Sequence, residues 1–198
     1  MSKKYDKAYF ERWYHNRRTR INSHAEVRRK VSIAVATAEY FLRRQLRTVL
    51  DIGCGEGSWL NHLRALRPRV AYSGLDSSEY VVERFGSERN IRLATFGELP
   101  SLGLLSYDLV VCADVMHYVA DRELRAGIAE IARVCEGVTF VEVLTAEDHV
   151  IGDLDAFHFR PAAWYRSAFR KVGMPQVGPY CWLSPQLRDQ AAELETVR

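Results

Sequence analysis

The chain has 198 residues, the length of one ordinary domain, with 47% apolar residues, 27% charged residues and a formal net charge of +3. That balance excludes a disordered chain, and four cysteines scattered at 54, 112, 135 and 181 exclude a disulfide scaffold or a compact thiolate metal site. No apolar run approaches 18 residues and no apolar stretch follows the basic start. The expectation is therefore a cytoplasmic protein with reduced, buried cysteines, no membrane span and no signal peptide.

Charge is unevenly placed. Residues 1–48 hold 13 Lys or Arg against 4 Asp or Glu, whereas residues 49–198 hold 15 against 21. A basic end of this kind contacts nucleic acid, docks on the acidic body or attracts an anionic substrate. Within it, Tyr9, Phe10, Trp13 and Tyr14 fall at helical spacings and form more apolar surface than a free tail exposes. Arg17-Arg18-Thr19-Arg20 is a charged connection. Ser23, with Glu26 three residues on, is a capping-box signature. Val27, Val31, Ala34, Val35, Ala38, Phe41 and Leu42 then make an apolar stripe that predicts a long helix lying against a sheet.

The stretch after that helix organises the rest. Val49 to Ile52 is a short apolar run containing Asp51, and it breaks into Gly53, Gly55 and Gly57. This reads as a buried strand entering a turn where glycine permits positive φ and close approach of a ligand. Helical spacing resumes at Ser58, with Trp59, Leu63 and Leu66 on one face. The dinucleotide fingerprint G-x-G-x-x-G is not met, because Ser58 stands where the third glycine belongs, and Asp51 would repel a pyrophosphate. A second strand ends at Asp76, 25 residues past Asp51 and placed to accept the two hydroxyls of a ribose. Alternatively Asp76 caps the next helix, a role that Ser77 or Ser78 can take over. A third strand covers Ile91 to Thr95, ahead of Phe96-Gly97-Glu98-Leu99-Pro100. The apolar run after Asp108 predicts a strand buried on both faces, which leaves through Ala113-Asp114 into a turn made of Val115, Met116, His117 and Tyr118.

Arg122 to Val134 reads as a helix and Val138 to Leu144 as a fifth strand, with Cys135-Glu136-Gly137 as the turn between them. Glu142 then lies near the strand's carboxyl end, directed into a substrate site or at a solvated flank. Residues 145–160 are polar; their histidines and carboxylates match no metal-ligand spacing, and they read as a substrate loop. Pro161 opens a helix over 162–172. Val177 to Leu183 has room for one or two short strands interrupted by Pro179, and Leu187 to Val197 for a polar terminal helix.

Asp51-Ile52-Gly53-Cys54-Gly55-Glu56-Gly57 resembles the glycine-rich first motif of the class I S-adenosylmethionine-dependent methyltransferases, and the resemblance extends over about residues 46–175. It implies an α/β, Rossmann-like doubly wound sheet, mostly parallel with an antiparallel final strand, plus an N-terminal helical lid. The cofactor core would span 46–198 and the cap 1–45. S-adenosyl-L-methionine is the implied cofactor. Asp51, Gly53, Cys54, Gly55 and Gly57 would stand at its methionine part, and Asp76 with Ser77 at the ribose. Thr95 and Phe96 occupy the adenine position, where the family often has an Asp. Ala113 and Asp114 would lie along the cofactor at the fourth strand.

On the substrate side, Tyr5, Tyr9, Trp13 and Tyr14 are lid candidates, or they pack on the following helix. His117 is either a base for a hydroxyl or amine or a structural histidine, and Tyr118 follows it toward the acceptor. His158 would handle substrate, and Arg160 would pair with an acidic substrate group or with Asp155. Glu142 completes the set. The implied reaction moves a methyl group to an oxygen or nitrogen of a small molecule, driven mainly by alignment. A nucleic-acid acceptor and a non-catalytic relative that keeps the fold are the alternatives, no membrane contact is expected, and pairing into a homodimer is left open.

Overall fold

Two apolar runs build the centre of the molecule. Thr48–Ile52 (β1) and Tyr107–Ala113 (β4) pair in parallel, with Val49 opposite Leu109 and Asp51 opposite Val111. Each run is buried on both faces, which a strand tolerates only when helices cover both sides of a parallel sheet. In the computed structural model, which describes residues 5–16, 18, 22–149 and 153–196, Ala71–Asp76 (β2) and Ile91–Leu93 (β3) extend the sheet on one side of β1. Cys135–Glu142 (β5) pairs in parallel with β4 on the other side. Cys181–Leu183 (β7) runs antiparallel to β5, and Gln176–Gly178 (β6) antiparallel to β7. Among the described residues the sheet therefore has seven strands in the order β3-β2-β1-β4-β5-β7-β6. This is the doubly wound, mostly parallel architecture expected, and the order reverses between β1 and β4. Open α/β sheets bind ligands at such a reversal, outside the carboxyl ends of the strands.

Alternate side chains of the same strands feed two cores. Val49, Leu109, Val111, Val138 and Phe140 pack beneath His24–Leu42 (α2) and Ser58–Leu66 (α3). Leu50, Ile52, Val110, Cys112 and Val141 pack beneath Asp121–Val134 (α5) and Ala162–Lys171 (α6). Full burial of each such side chain is worth roughly 1.5–3 kcal/mol relative to exposure. The helix expected from Ser23 begins there with both halves of its capping box formed, and its apolar stripe faces the sheet. The rim of the sheet away from the loops is tied by Asp108, which takes two 2.7 Å bonds from the Arg44 guanidinium and one from the Arg47 amide.

Three local expectations need correction, and one is borne out. The N-terminal aromatic segment is a single helical turn, Lys7–Phe10 (α1), continued by a wide π turn over Glu11–His15. Cys135-Glu136-Gly137 is no turn, since α5 ends at Val134 and β5 begins at Cys135. Gly137 is needed because a Cβ there would stand 2.3 Å from the Asp108 carbonyl oxygen of β4. The serine cap expected after β2 is borne out, with Ser78 opening Glu79–Arg89 (α4). The C-terminal stretch makes only a 3-10 turn at Arg188–Gln190, having no apolar stripe to hold a helix down. Arg17 and residues 19–21 of the charged connection, and 150–152 of the polar loop, lie outside the described residues.

Candidate functional site

The carboxyl ends of β2, β1 and β4 open into a cavity of about 320 Å³. Its floor begins with Gly53, where β1 ends. Gly53 has φ +67°, and a Cβ there would lie 2.2 Å from Val115 Cγ2, so both the backbone and the neighbour demand glycine. The loop is held from below. Gly53 and Cys54 donate to the Leu75 carbonyl at 2.7 and 3.1 Å, and Gly55 N–H donates to Asp76 Oδ2 at 2.7 Å.

Asp76 ends β2 at the cavity wall. Its Oδ1 accepts from the Ser78 amide at 2.9 Å, so the carboxylate braces both the glycine loop and the entry to α4. Burial raises its carboxyl above the usual range, opposed by the amides of Ser78, Gly55 and Ser77. Each oxygen still has acceptor capacity for a hydroxyl donor from the cavity. Ser77 and Thr95 line the same side. Thr95 is engaged with Glu98 in a reciprocal cap of the 3-10 turn Phe96–Ser101. Phe96 serves as cavity wall and core at once, its ring occupying the place that a Cβ on Gly127 of α5 would take.

The other end of the cavity is formed where β4 exits. Asp114 has φ +60°, a left-handed conformation that a non-glycine residue adopts at a cost. Its amide donates to the Glu142 carbonyl at 2.9 Å, and its Oδ2 accepts from Asn22 Nδ2 at 3.2 Å. Lys30 of α2 donates to both Asn22 Oδ1 and Glu142 Oε2 at 2.6 Å. Burial, then the neighbouring Glu142, push the Asp114 carboxyl up to about 6, while Lys30 and Asn22 pull it down.

Aromatic side chains close the top. Tyr5, Tyr9, Phe10 and Tyr14 line the cavity from the N-terminal segment and Tyr118 from the 3-10 turn Met116–Tyr118. Phe10 is buried with Cys54, Val81 and Ile91 and lies 5.7 Å from the Tyr80 ring. The Tyr14 hydroxyl rests against Gly55, at 3.1 Å from where a Cβ would be. Two further bonds tie the segment down: Ser78 Oγ donates to the Tyr5 carbonyl at 2.5 Å, and His15 pairs with Glu56 at 3.1 Å. Burial raises the phenols of Tyr5, to about 12, and of Tyr9, Tyr14 and Tyr118, so all four stay protonated near neutrality.

Gly53, Asp76, Ser77, Thr95, Phe96, Asp114, Tyr9, Tyr14 and Tyr118 are thus brought to one cavity. The remaining sequence candidates lie elsewhere. Asp51 is sealed beneath the loop, accepting from the Tyr72 hydroxyl at 2.8 Å, and burial pushes its carboxyl up to about 7. Cys54 is buried beside it, Gly55 is covered by Tyr14, and Gly57 supplies the left-handed residue before α3. Ala113 packs at the edge of the α2-side core. Trp13 is half-buried and does not line the cavity, with the Arg12 guanidinium 4.8 Å from its ring. Glu142 neither enters the cavity nor faces a solvated flank, being held by Lys30.

Neither histidine lines the cavity. His117 is 1% exposed, stacked on Phe157 at 4.7 Å, and its Nδ1 accepts from the Leu144 amide at 3.4 Å. His158 is exposed outside the cavity, its amide donating to the His117 carbonyl. Arg160 is buried and pairs with Asp121 at 2.7 Å rather than with Asp155, while donating to the Val119 and Met116 carbonyls. Phe10, Gly97, Val115, Val119 and Glu123 line the cavity without having been singled out as ligand contacts. Glu123 was findable in principle, because the first turn of α5 opens toward the carboxyl end of the sheet.

The chemistry of this wall is one-sided. Asp76, Asp114 and Glu123 line it, and no Lys, Arg or His does among the described residues. Such a cavity suits a cation carrying hydroxyls and repels a pyrophosphate.

Comparison with known proteins agrees with the fold. Residues 50–136 match the family model of a methyltransferase domain. No curated protein sequence matches the chain. The sugar N-methyltransferase KedS8 from Streptoalloteichus superposes with a TM-score of 0.64 at 19% identity, over 84% of this chain and 90% of that one. The plantazolicin methyltransferase BpumL, in complex with SAH and a pentazolic desmethylPZN analog, superposes with a TM-score of 0.64 at 12% identity, over 83% and 73%. An O-methyltransferase family protein from Burkholderia thailandensis gives 0.54 at 19% identity over 80% of this chain, which spans only 56% of that protein. At such identities the structural likeness is one of fold. The family match spans the glycine loop, β2 and β4, and together with the fold likeness it is consistent with a class I methyltransferase.

Proposed function

We propose that the chain is an S-adenosyl-L-methionine-dependent methyltransferase that moves a methyl group to an oxygen or nitrogen of a small molecule. The observation that carries this is the single cavity spanning Asp76, Gly53 and Asp114 under an aromatic cover. Its donor set fits the cofactor. Asp76 would accept from ribose hydroxyls, Thr95 and Phe96 would border the adenine, and the side-chain-free Gly53 would let the methionine part approach the backbone. The carboxylates and ring faces favour a positively charged sulfur. When bound, S-adenosyl-L-methionine supplies a methyl group activated by that sulfur.

The protein's own share is to position the reactants. Tyr5, Tyr9, Phe10 and Tyr14, latched through Ser78 and Glu56, would narrow the cavity's mouth around the cofactor and restrict the approach of an acceptor. A nucleic-acid phosphate would meet three carboxylates and no cation on the cavity wall. Relatives by fold include a sugar N-methyltransferase and the plantazolicin methyltransferase. Calorimetric titration with S-adenosyl-L-methionine and, separately, with NADH tests the proposal. Saturable uptake of the sulfonium with no uptake of NADH is expected, and the opposite preference would overturn it.

A further inference from the structure

We propose that Asp114 is the acceptor-side residue of this cavity, and that it selects an amine, pairing with its ammonium form and taking its proton. This rests on the methyltransferase reading for what happens next, but the binding preference stands on the cavity's own residues.

Three observations support it. First, Asp114 is fixed at a left-handed φ of +60°, a conformation that aspartate adopts more readily than most residues and that its surroundings hold. Those surroundings are the Asp114 amide bond to Glu142, the Asn22 bond to Oδ2 and the packing of Val115 on Gly53. Among the described residues Oδ1 accepts no hydrogen bond, which leaves it for a ligand. Second, the local charges do not cancel. Lys30 from α2 is the cation facing Asp114 and Glu142, and it donates directly to Glu142 and to Asn22. Two carboxylates share one ammonium, so the excess negative charge resides on the member that faces the cavity. Third, the other groups around it are neutral donors: the Tyr9, Tyr14 and Tyr118 phenols lie near Asp114 and are held protonated. Aromatic faces beside a carboxylate make a binding site for an ammonium, and the carboxylate's charge repels a carboxylate or phosphate acceptor.

The proton step needs no other group. An acceptor amine enters as its ammonium and pairs with Asp114. One N–H bond then breaks with its electron pair left on nitrogen, and an O–H bond forms on the Asp114 carboxyl. The nitrogen lone pair is thereby freed for attack, where a protonated amine has none. A carboxyl already pushed up to about 6 by burial and by Glu142 is a better proton acceptor than an exposed aspartate. The same shift sets the pH dependence: the pair is lost as pH falls through that value, because the carboxyl then binds its proton from solvent.

The test uses phenethylamine as the cation probe and 2-phenylethanol and phenylacetate as its neutral and anionic counterparts. Each is titrated calorimetrically into wild type and Asp114→Asn, with and without S-adenosylhomocysteine. Asparagine keeps the side-chain shape and tolerates the left-handed backbone, so the variant is expected to fold. The amine should bind wild type at pH 8 at least tenfold more tightly than either counterpart, weaken as pH drops below 6, and lose that advantage in Asp114→Asn. S-adenosylhomocysteine affinity should change less than threefold. Equal binding of alcohol and amine, no binding of the amine, or an unchanged amine affinity in Asp114→Asn would each overturn the proposal. So would an equal loss of S-adenosylhomocysteine affinity, which would give Asp114 to the cofactor's own ammonium. Wild type that binds the amine but no S-adenosylhomocysteine would sink the methyltransferase reading alone and leave the Asp114 site intact.

Discussion

Replacing Gly53 by alanine probes the most constrained point of the site. The new Cβ meets two separate obstacles. At φ +67° an L-residue carries a left-handed penalty of roughly 1–2 kcal/mol. The Cβ also lies 2.2 Å from Val115 Cγ2, a contact that real methyl carbons do not make, so Val115 or the loop must shift. Overpacking of that kind costs roughly 1–3 kcal/mol. The sum is a loss of about 2–5 kcal/mol. With a urea slope of about 1–3 kcal/mol per molar for a chain of this class, the midpoint should fall by about 1 M or more. Val115→Ala removes the offending methyl and leaves the backbone penalty untouched. The double variant should therefore recover the overpacking part alone, so that the two substitutions are less destabilising together than their separate costs imply. Urea denaturation of the four proteins measures this directly. A Gly53→Ala protein within about 0.5 kcal/mol of wild type would refute the account of the loop.

The buried Asp51 makes stability depend on pH. Its carboxyl is pushed from 3.8 up to about 7, so it stabilises the fold while protonated in both states, and that contribution is lost as pH rises toward 7. Asp51→Asn should match wild type near pH 4 and exceed it at pH 8, by up to about 4 kcal/mol, in urea midpoints taken across that range. A gap that does not widen with pH would contradict the burial argument. Arg160→Ala strands the Val119 and Met116 carbonyls inside the protein and should cost about 2–4 kcal/mol, whereas Asp121→Ala leaves the buried guanidinium with those carbonyl partners and should cost less, though more than an exposed pair would. Thermal melts that showed equal losses would assign the energy to the ion pair instead.

The parts of the fold that were readable from sequence are those where local chemistry and tertiary demand coincide. The apolar runs of β1 and β4 admit only a strand covered on both faces. Ser23 with Glu26 announced the start of α2, and Asp76 followed by Ser78 placed a carboxylate at a strand end with a second residue to cap the helix. Gly137 was misread because a glycine is as often demanded by a neighbouring strand as by a turn, and the demand came from Asp108, distant in sequence. His117 sits on a single 3-10 turn, where a small rotation decides whether a ring faces the crevice or the core, and Phe157 holds it on the core side. Arg160 likewise found its carboxylate 39 residues away, a pairing that no local pattern encodes. The displacement of Asp51 from the cavity follows from Tyr72, one strand over, whose hydroxyl claims it. Strand ends were thus legible, and the direction of each side chain leaving them was not, because that direction is set by residues from other elements.

The most direct test of the central claim is a crystal structure of the protein soaked with S-adenosylhomocysteine. Density for the nucleoside within the cavity is expected, its ribose within hydrogen-bond reach of Asp76 and its sulfur open toward the Asp114 side. An empty cavity at saturating ligand, or the nucleoside bound at some other surface with Asp76 still engaged only by Gly55 and Ser78, would contradict it.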